Sequence, residues 1–332
     1  MEEDIGKDIS KVISKDIRKN IIKNSTIKRA GSRPSKMKKS LWLYIFLIPG
    51  ILCFLVFNYF PMYGVKIAFM DYSPIKGFAD SPWVGLQNFR YLFSTESFYN
   101  VFKNSLVLSF LRLICGFPMP IILALMLNEL RMKRFKKFSQ TVLYVPYFIS
   151  WVVLGGLIMN LLSPANGPVN NLIEMLGGER IAFLQSETYF RAVLIISDIW
   201  KTAGWGTIVY MAAISGIDAQ MYEAASIEGA GMLRQMWHIT LPTISPTIMV
   251  LLILQMGSVV KNGFEQIFML YSPSVYSVAD VFETYTYRMG LMEGRLSFST
   301  AVGLFQSVVG LILVLTTNKV AQKIGEGEGA LW

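Results

Sequence analysis

Charge and metal-binding side chains are what this chain lacks. Only 16% of its 332 residues are charged, against about a quarter in an ordinary soluble domain, while 53% are hydrophobic. That balance excludes a soluble globular domain and implies an integral membrane protein. One histidine, His238, cannot build a histidine-ligated metal centre. The two cysteines, Cys53 and Cys115, lie far apart in apolar stretches, where cysteine acts as a small buried hydrophobe. No disulfide, thiolate site, metal or cofactor is therefore expected in this chain. The G-x4-G-K-[ST] phosphate cradle is absent, as are H-E-x-x-H, G-x-S-x-G and cysteine clusters. An intramembrane enzyme would have to use Asp198 or Glu265, and neither has a second acid or nucleophile at a fixed short spacing.

Long hydrophobic runs are what the chain has. Six segments, near 41 to 62, 103 to 129, 139 to 162, 190 to 215, 243 to 269 and 297 to 318, meet the roughly 20 residues that a helix needs to cross a bilayer. The expected fold is all-α with six transmembrane helices. No charged residue lies between Lys39 and Lys66, between Lys137 and Glu174, or between Arg295 and Lys319. The second, fourth and fifth segments carry charge, at Arg112, at Asp198 with Lys201, and at Lys261 with Glu265. Gly155-Gly156 and Gly204-Trp-Gly206 sit inside spans, where small residues permit close helix packing.

Orientation follows from Lys and Arg, which accumulate on the cytoplasmic side. Residues 1 to 40 hold 12 of the 31 against five acids, and Arg131, Lys133, Arg134, Lys136 and Lys137 crowd the second loop. Both are placed inside. The loops at 61 to 100, 163 to 189 and 271 to 296 hold six Lys and Arg against nine acids and are placed outside, with both termini cytoplasmic. The domain reading is a basic tail over 1–40 and a transmembrane domain over 41–332, with a cytoplasmic loop at 216–242.

The tail accounts for +7 of the net +9 (twelve minus five), so the basicity requires no nucleic-acid groove. It has neither the apolar core nor the cleavage site of a signal peptide. Ile5, Ile9, Ile13, Ile17 and Ile21 recur in step with Lys7, Lys11, Lys15, Lys19 and Lys23, a pattern that suits a basic helix lying on anionic membrane lipid. A four-residue repeat drifts about 40° per step on an α-helix, so a solvated tail is an equal alternative. Gly31 to Pro34 reads as a hinge before the first span.

Polar residues inside spans suggest a pathway. Gln255, Ser258, Asn262 and Glu265 recur at intervals of three, four and three, which places them on one face of a helix. Such a face turns from lipid toward either a cavity or a neighbouring helix. Two readings follow: a lined path, or helix-helix hydrogen bonding with a Lys261 to Glu265 pair. Trp200 and Trp205 suit stacking on sugar faces and equally suit anchoring at the membrane edge.

Between the fourth and fifth segments lies a polar island, Glu223-Ala-Ala-Ser-Ile-Glu-Gly229, followed after nine residues by Ile239-Thr-Leu-Pro242. A short helix begun after Gly216-Ile-Asp218 is expected to project as a knob, with Gly229 permitting a sharp turn. Leu241-Pro242 is expected to break the helix before the next span. An ordinary acidic helix-turn is the plain alternative. The pattern E-A-A-x3-G-x9-I-x-L-P resembles the cytoplasmic loop of the membrane subunits of ATP-binding-cassette importers. Val84-Gly-Leu-Gln-Asn-Phe89, Leu123-Ala-Leu-Met-Leu-Asn-Glu129, Phe148-Ile-Ser-Trp151, Leu161-Leu-Ser-Pro164, Gly263-Phe-Glu-Gln266 and Ala301-Val-Gly-Leu-Phe305 are similar to permeases of oligosaccharide and polysaccharide importers, especially those for alginate and other complex glycans.

The resemblance implies the type I importer permease fold in a prokaryotic cytoplasmic membrane. It also implies a heteromeric complex: a second permease subunit, two ATPase subunits that hold ATP and Mg, and an extracytoplasmic solute-binding protein that delivers the sugar. The ATPases would grip Glu223, Ala224, Ala225, Gly229, Ile239, Leu241 and Pro242. In the similar maltose importer the larger permease touches sugar from the helices on either side of the loop. That likeness places Trp205 at an aromatic contact and Asn262 at or next to an asparagine contact, on an implied path with Thr202, Gln255, Ser258 and Glu265. Thr202 stands where the maltose relative has glycine, Pro242 and Pro246 are one residue closer together, and Lys261 is unusual in that stretch. A permease for a non-sugar solute is the near alternative. A secondary transporter is the more distant one and would show an internal repeat and an ion site.

Overall fold

The computed structural model describes residues 33–324; the reading of the tail over residues 1–32 as a surface helix falls outside them. Residues up to Gly64 and the chain from Val65 onward are two separate units. In the first, α1 (Arg33–Phe54) already includes Arg33 and Pro34, so helix occupies part of the expected hinge. Proline is tolerated there because the first turn of a helix leaves its N–H groups unused.

The second unit contains α2 (Glu96–Leu111), α3 (Pro118–Asn128), α4 (Lys133–Tyr144), α5 (Trp151–Leu161), α6 (Glu187–Ser215), α7 (Ala219–Ile227), α8 (Leu241–Ser258), α9 (Phe264–Leu270), α10 (Phe282–Tyr287) and α11 (Leu296–Ile324). Among the described residues, the antiparallel bridge between Met70 and Trp83 is the sole sheet-like pairing. Among the described residues, five helical runs are long and apolar enough to cross a membrane: Tyr44–Phe69, Glu96–Asn128, Glu187–Ser215, Met232–Ser258 and Leu296–Val320. A sixth crossing is obtained if the bent pair Lys133–Phe148 and Trp151–Leu161, which meet at 104°, counts as one. The six apolar segments thus each find a helical counterpart, but the third is no straight span. Pro146 lacks an N–H, the backbone becomes extended at Ile149 and Ser150, and the Ser150 hydroxyl accepts from Val153 N–H at 3.4 Å to start α5.

Proline shapes three other helices in one recurring way. π-helical turns at Leu55–Tyr59, Arg112–Gly116 and Met236–Thr240 each end two residues before a proline: Pro61, Pro118 and Pro242. Widening the turn takes up the missing hydrogen bond and the ring's clash with the preceding turn. The helical run therefore continues through Leu241-Pro242, contrary to the break expected there, and the fifth span starts at Met232 rather than 243.

The fifth span also ends early. After Ser258 the backbone leaves the helix, Gly263 takes φ +74°, and α9 restarts at Phe264. The expected single face of Gln255, Ser258, Asn262 and Glu265 is thus divided: the first two lie on α8, Asn262 in the break, and Glu265 on α9. Lys261 and Glu265 are both exposed and form no ion pair with each other. Without continuous helix between them, their four-residue spacing no longer brings them together.

Among the described residues, three buried clusters hold the second unit together. Leu108, Leu154, Phe190, Leu194, Ile267 and Leu270 join α2, α5, α6 and α9. Val101, Val260, Phe282, Phe298 and Val302 join α2, α10 and α11, and Ala124, Tyr210, Ile214 and Ile244 join α3, α6 and α8. Glycine sets the tightest approaches: a Cβ on Gly204 would run into the Leu143 carbonyl at the end of α4, and one on Gly206 would lie 2.9 Å from Pro120.

Candidate functional site

The polar island folds as a capped knob. Asp218 accepts from Gln220 N–H at 3.0 Å and starts α7. Its end is a glycine cap: Gly229 sits at φ +79°, its N–H donates to Ser226 O at 3.1 Å, and Ala230 N–H reaches back to Ala225 O at 2.9 Å. Side chains then tie the knob to the start of the fifth span. Tyr222 and Thr240 hydroxyls are 2.9 Å apart, and Gln235 Nε2 donates to Ser226 Oγ and Ala230 O, each at 2.9 Å. Glu223, Ala224, Gly229 and Pro242 are exposed, while Ala225, Ile239 and Leu241 are half-buried. Around them Ile227 is 88% exposed and Leu233 67%. An apolar tip on a rigidly tethered short helix is a surface that a cleft on another protein can hold.

On α6, Asp198, Thr202, Trp205 and Val209 follow one another at intervals of four, three and four and line one accessible face. Trp205 lies parallel to Tyr147 at 4.6 Å between ring centroids and meets Phe148 edge-on. Both partners come from the bend between α4 and α5. Lys201, one turn from Trp205, is 9% exposed and fills the inside of that bend: its ammonium donates to the carbonyls of Tyr147 (3.0 Å), Pro146 (3.5 Å) and Ile149. Pro146 O also accepts from Ile149 N–H at 3.2 Å, whereas the carbonyls of Tyr147 and Ile149 lie where the helix is interrupted, so a buried cation takes the place of the N–H donors missing there. A lysine within a span signals a polar need, but its partners, 52 to 55 residues away, have no signature in the sequence.

The break after α8 is the second polar centre. Asn262 is fully buried, and its amide donates to Ser105 O at 3.2 Å and Val260 O at 3.3 Å. It is thus a joint between α2 and the break, with no accessible surface in this arrangement. Arg112 reaches across from the π-turn after α2 to Gln266 Oε1 at 2.5 Å and lies 3.9 Å from Asp198. Gln266 Nε2 in turn donates to Leu194 O and Ser197 Oγ on α6. Arg112 and Gln266, which sequence reasoning gave no site role, therefore connect the Trp205 face to the break. Ser258 is exposed and Gln255 half-buried on α8; Glu265 is exposed on α9.

This arrangement has counterparts of known kind. Residues 116–325 match the family described as binding-protein-dependent transport system inner membrane component. The chain belongs to that family. The permease is 50% identical to the polygalacturonan/rhamnogalacturonan transport system permease protein YteP of Bacillus subtilis, over 88% of this chain and 91% of that protein. It is 48% identical to protein LplB of the same organism, over 87% and 91%. Its structure matches, at a TM-score of 0.81 and 44% identity, a chain of a bacterial ABC transporter involved in the import of the acidic polysaccharide alginate, covering 87% of this chain and 98% of that one. The type I importer permease fold expected from the sequence is the fold observed.

Proposed function

We propose that this permease carries oligosaccharides or polysaccharide fragments into the cell. In this reading it pairs with a second permease subunit, is driven by two ATPase subunits that hold ATP and Mg, and is fed by an extracytoplasmic solute-binding protein. The observation that carries it is the 50% identity, along almost the whole chain, to a permease named for polygalacturonan and rhamnogalacturonan. The related alginate transporter has also been crystallised in complex with a pentasaccharide-bound periplasmic protein, which supports the same partner here.

In this reading both termini and the α7 knob are cytoplasmic, and an ATPase subunit grips Glu223, Ala224, Ala225 and Gly229. The tethers through Thr240 and Gln235 then pass its movement to the fifth span, with Ile239, Leu241 and Pro242 as the stiff root of the lever. Trp205 and Thr202 form one wall of the path, with Gln255 and Ser258 before the break and Glu265 after it lining the rest, and Asn262 positions that break from within. The test is purification of the tagged permease with its ATPases, followed by uptake of labelled oligogalacturonides into vesicles supplied with the binding protein and ATP. Uptake that needs no ATP would refute the coupling, and an ATP-driven complex that takes up no saccharide would refute the sugar reading.

A further inference from the structure

The break after α8 leaves one cation unused. Arg112 is engaged by Asp198 and Gln266, and Lys201 by three carbonyls. Lys261 sits between Ser258 and Gly263, exposed, and among the described residues its ammonium has no hydrogen bond, ion pair or aromatic face. A lone charge at this position in a membrane protein is costly unless something pairs with it.

Lys261 borders a cavity of about 440 Å³ between α8 and α11, lined also by Gly257, Val260, Glu283, Gln306 and Ser307. Glu283 lines it with one oxygen committed and the other enclosed. Its Oε1 accepts from Asn262 N–H at 3.1 Å and Gln306 Nε2 at 3.0 Å, whereas Oε2 is buried without a partner. The cavity therefore offers an unpaired ammonium and the exposed Ser307 hydroxyl, in a volume typical of small-molecule sites. A sugar ring that carries both a carboxylate and hydroxyls has the matching groups.

We infer that Lys261 is a specificity residue for uronate-containing saccharides: its ammonium pairs with the sugar carboxylate. This rests on the saccharide reading above. A path must hold its cargo weakly enough to release it, and a single exposed ion pair meets that requirement.

The test uses the complete complex in proteoliposomes with its binding protein, comparing an oligogalacturonide with its methyl ester. Each variant is referred to wild type for each substrate, so that the shared delivery step cancels. Lys261→Met is expected to lower uptake of the free acid by about tenfold and of the ester by less than about twofold, the loss of roughly one charge-assisted hydrogen bond. Lys261→Arg should keep most of the acid uptake, and Lys261→Glu should lose more of it than Lys261→Met. Equal loss of acid and ester would overturn the inference in favour of a structural pair with Glu283 or with an acid of the second permease; unchanged uptake of both would also overturn it. A wild-type complex that drives ATP-dependent uptake of neither substrate would count against the saccharide reading, and the inference would fall with it.

Discussion

Replacing Lys201 by Met should unfasten the bend between α4 and α5. In the native arrangement a nearly buried ammonium serves the carbonyls of Tyr147 and Ile149, with Pro146 O at the limit of reach. Methionine fills a similar volume and donates nothing. Hydrogen bonds to a charged group contribute about 1.5–3 kcal/mol each, and carbonyls left buried without a donor add a penalty. Two effective bonds, less what penetrating water restores, give a loss of about 3–5 kcal/mol, the range found when one partner of a buried charged pair is removed. For a chain of this size such a loss lowers the melting temperature by on the order of 10 °C. The assay is thermal inactivation of the purified complex in detergent, read beside uptake per assembled complex. Lys201→Gln, which keeps two donors without the charge, should fall between Lys201→Met and wild type. Because Tyr147 stacks on Trp205, uptake should decline in the same order. A Lys201→Met complex that melts and transports like wild type would refute the claim that this side chain holds the bend.

Other perturbations follow from the same geometry. Gly229 has φ +79° with open space where a Cβ would stand, so Gly229→Ala should cost about 1–2 kcal/mol through backbone strain alone and Gly229→Asn less; Gly229→Asp should in addition uncouple transport from ATP hydrolysis or release the ATPases, and normal coupling in Gly229→Asp would count against the knob as the docking element. Gly204→Ala should destabilise by about 1–3 kcal/mol, because its methyl meets the backbone of Leu143 rather than a yielding side chain; an unchanged thermal midpoint would show that α4 and α6 separate freely. Trp205→Ala should slow saccharide uptake per complex by about tenfold if the indole contributes roughly 1.4 kcal/mol, and loss of assembly without loss of intrinsic uptake would assign it to packing instead. With Cys53 and Cys115 replaced by Ser, single cysteines at exposed Ile75 and Glu179 should react with an impermeant thiol reagent in intact cells, and one at exposed Ser226 should not; the opposite labelling would invert the orientation.

Much of the architecture can be read along the chain, because it depends on local quantities. Apolar run length decides the number of membrane helices, and proline and glycine mark where helices are disturbed. The Glu223 to Gly229 knob was legible for the same reason: Asp218 as its cap, Gly229 as its stop and two alanines between are all within twelve residues.

What proline does at each place was not legible. Pro118 and Pro242 are absorbed by π-turns in continuous helices, while near Pro146 the chain bends by 104°. The difference lies in a distant cation that satisfies the carbonyls exposed by the bend, and sequence carries no record of that pairing. The polar series from Gln255 to Glu265 failed as a single face for a related reason. Its spacing assumes unbroken helix, whereas Asn262 sits in a break, held by bonds to Ser105 and Glu283. Apolar pattern alone thus determines which segments enter the membrane. Which polar groups remain accessible is settled only when every buried donor and acceptor has competed for partners in three dimensions.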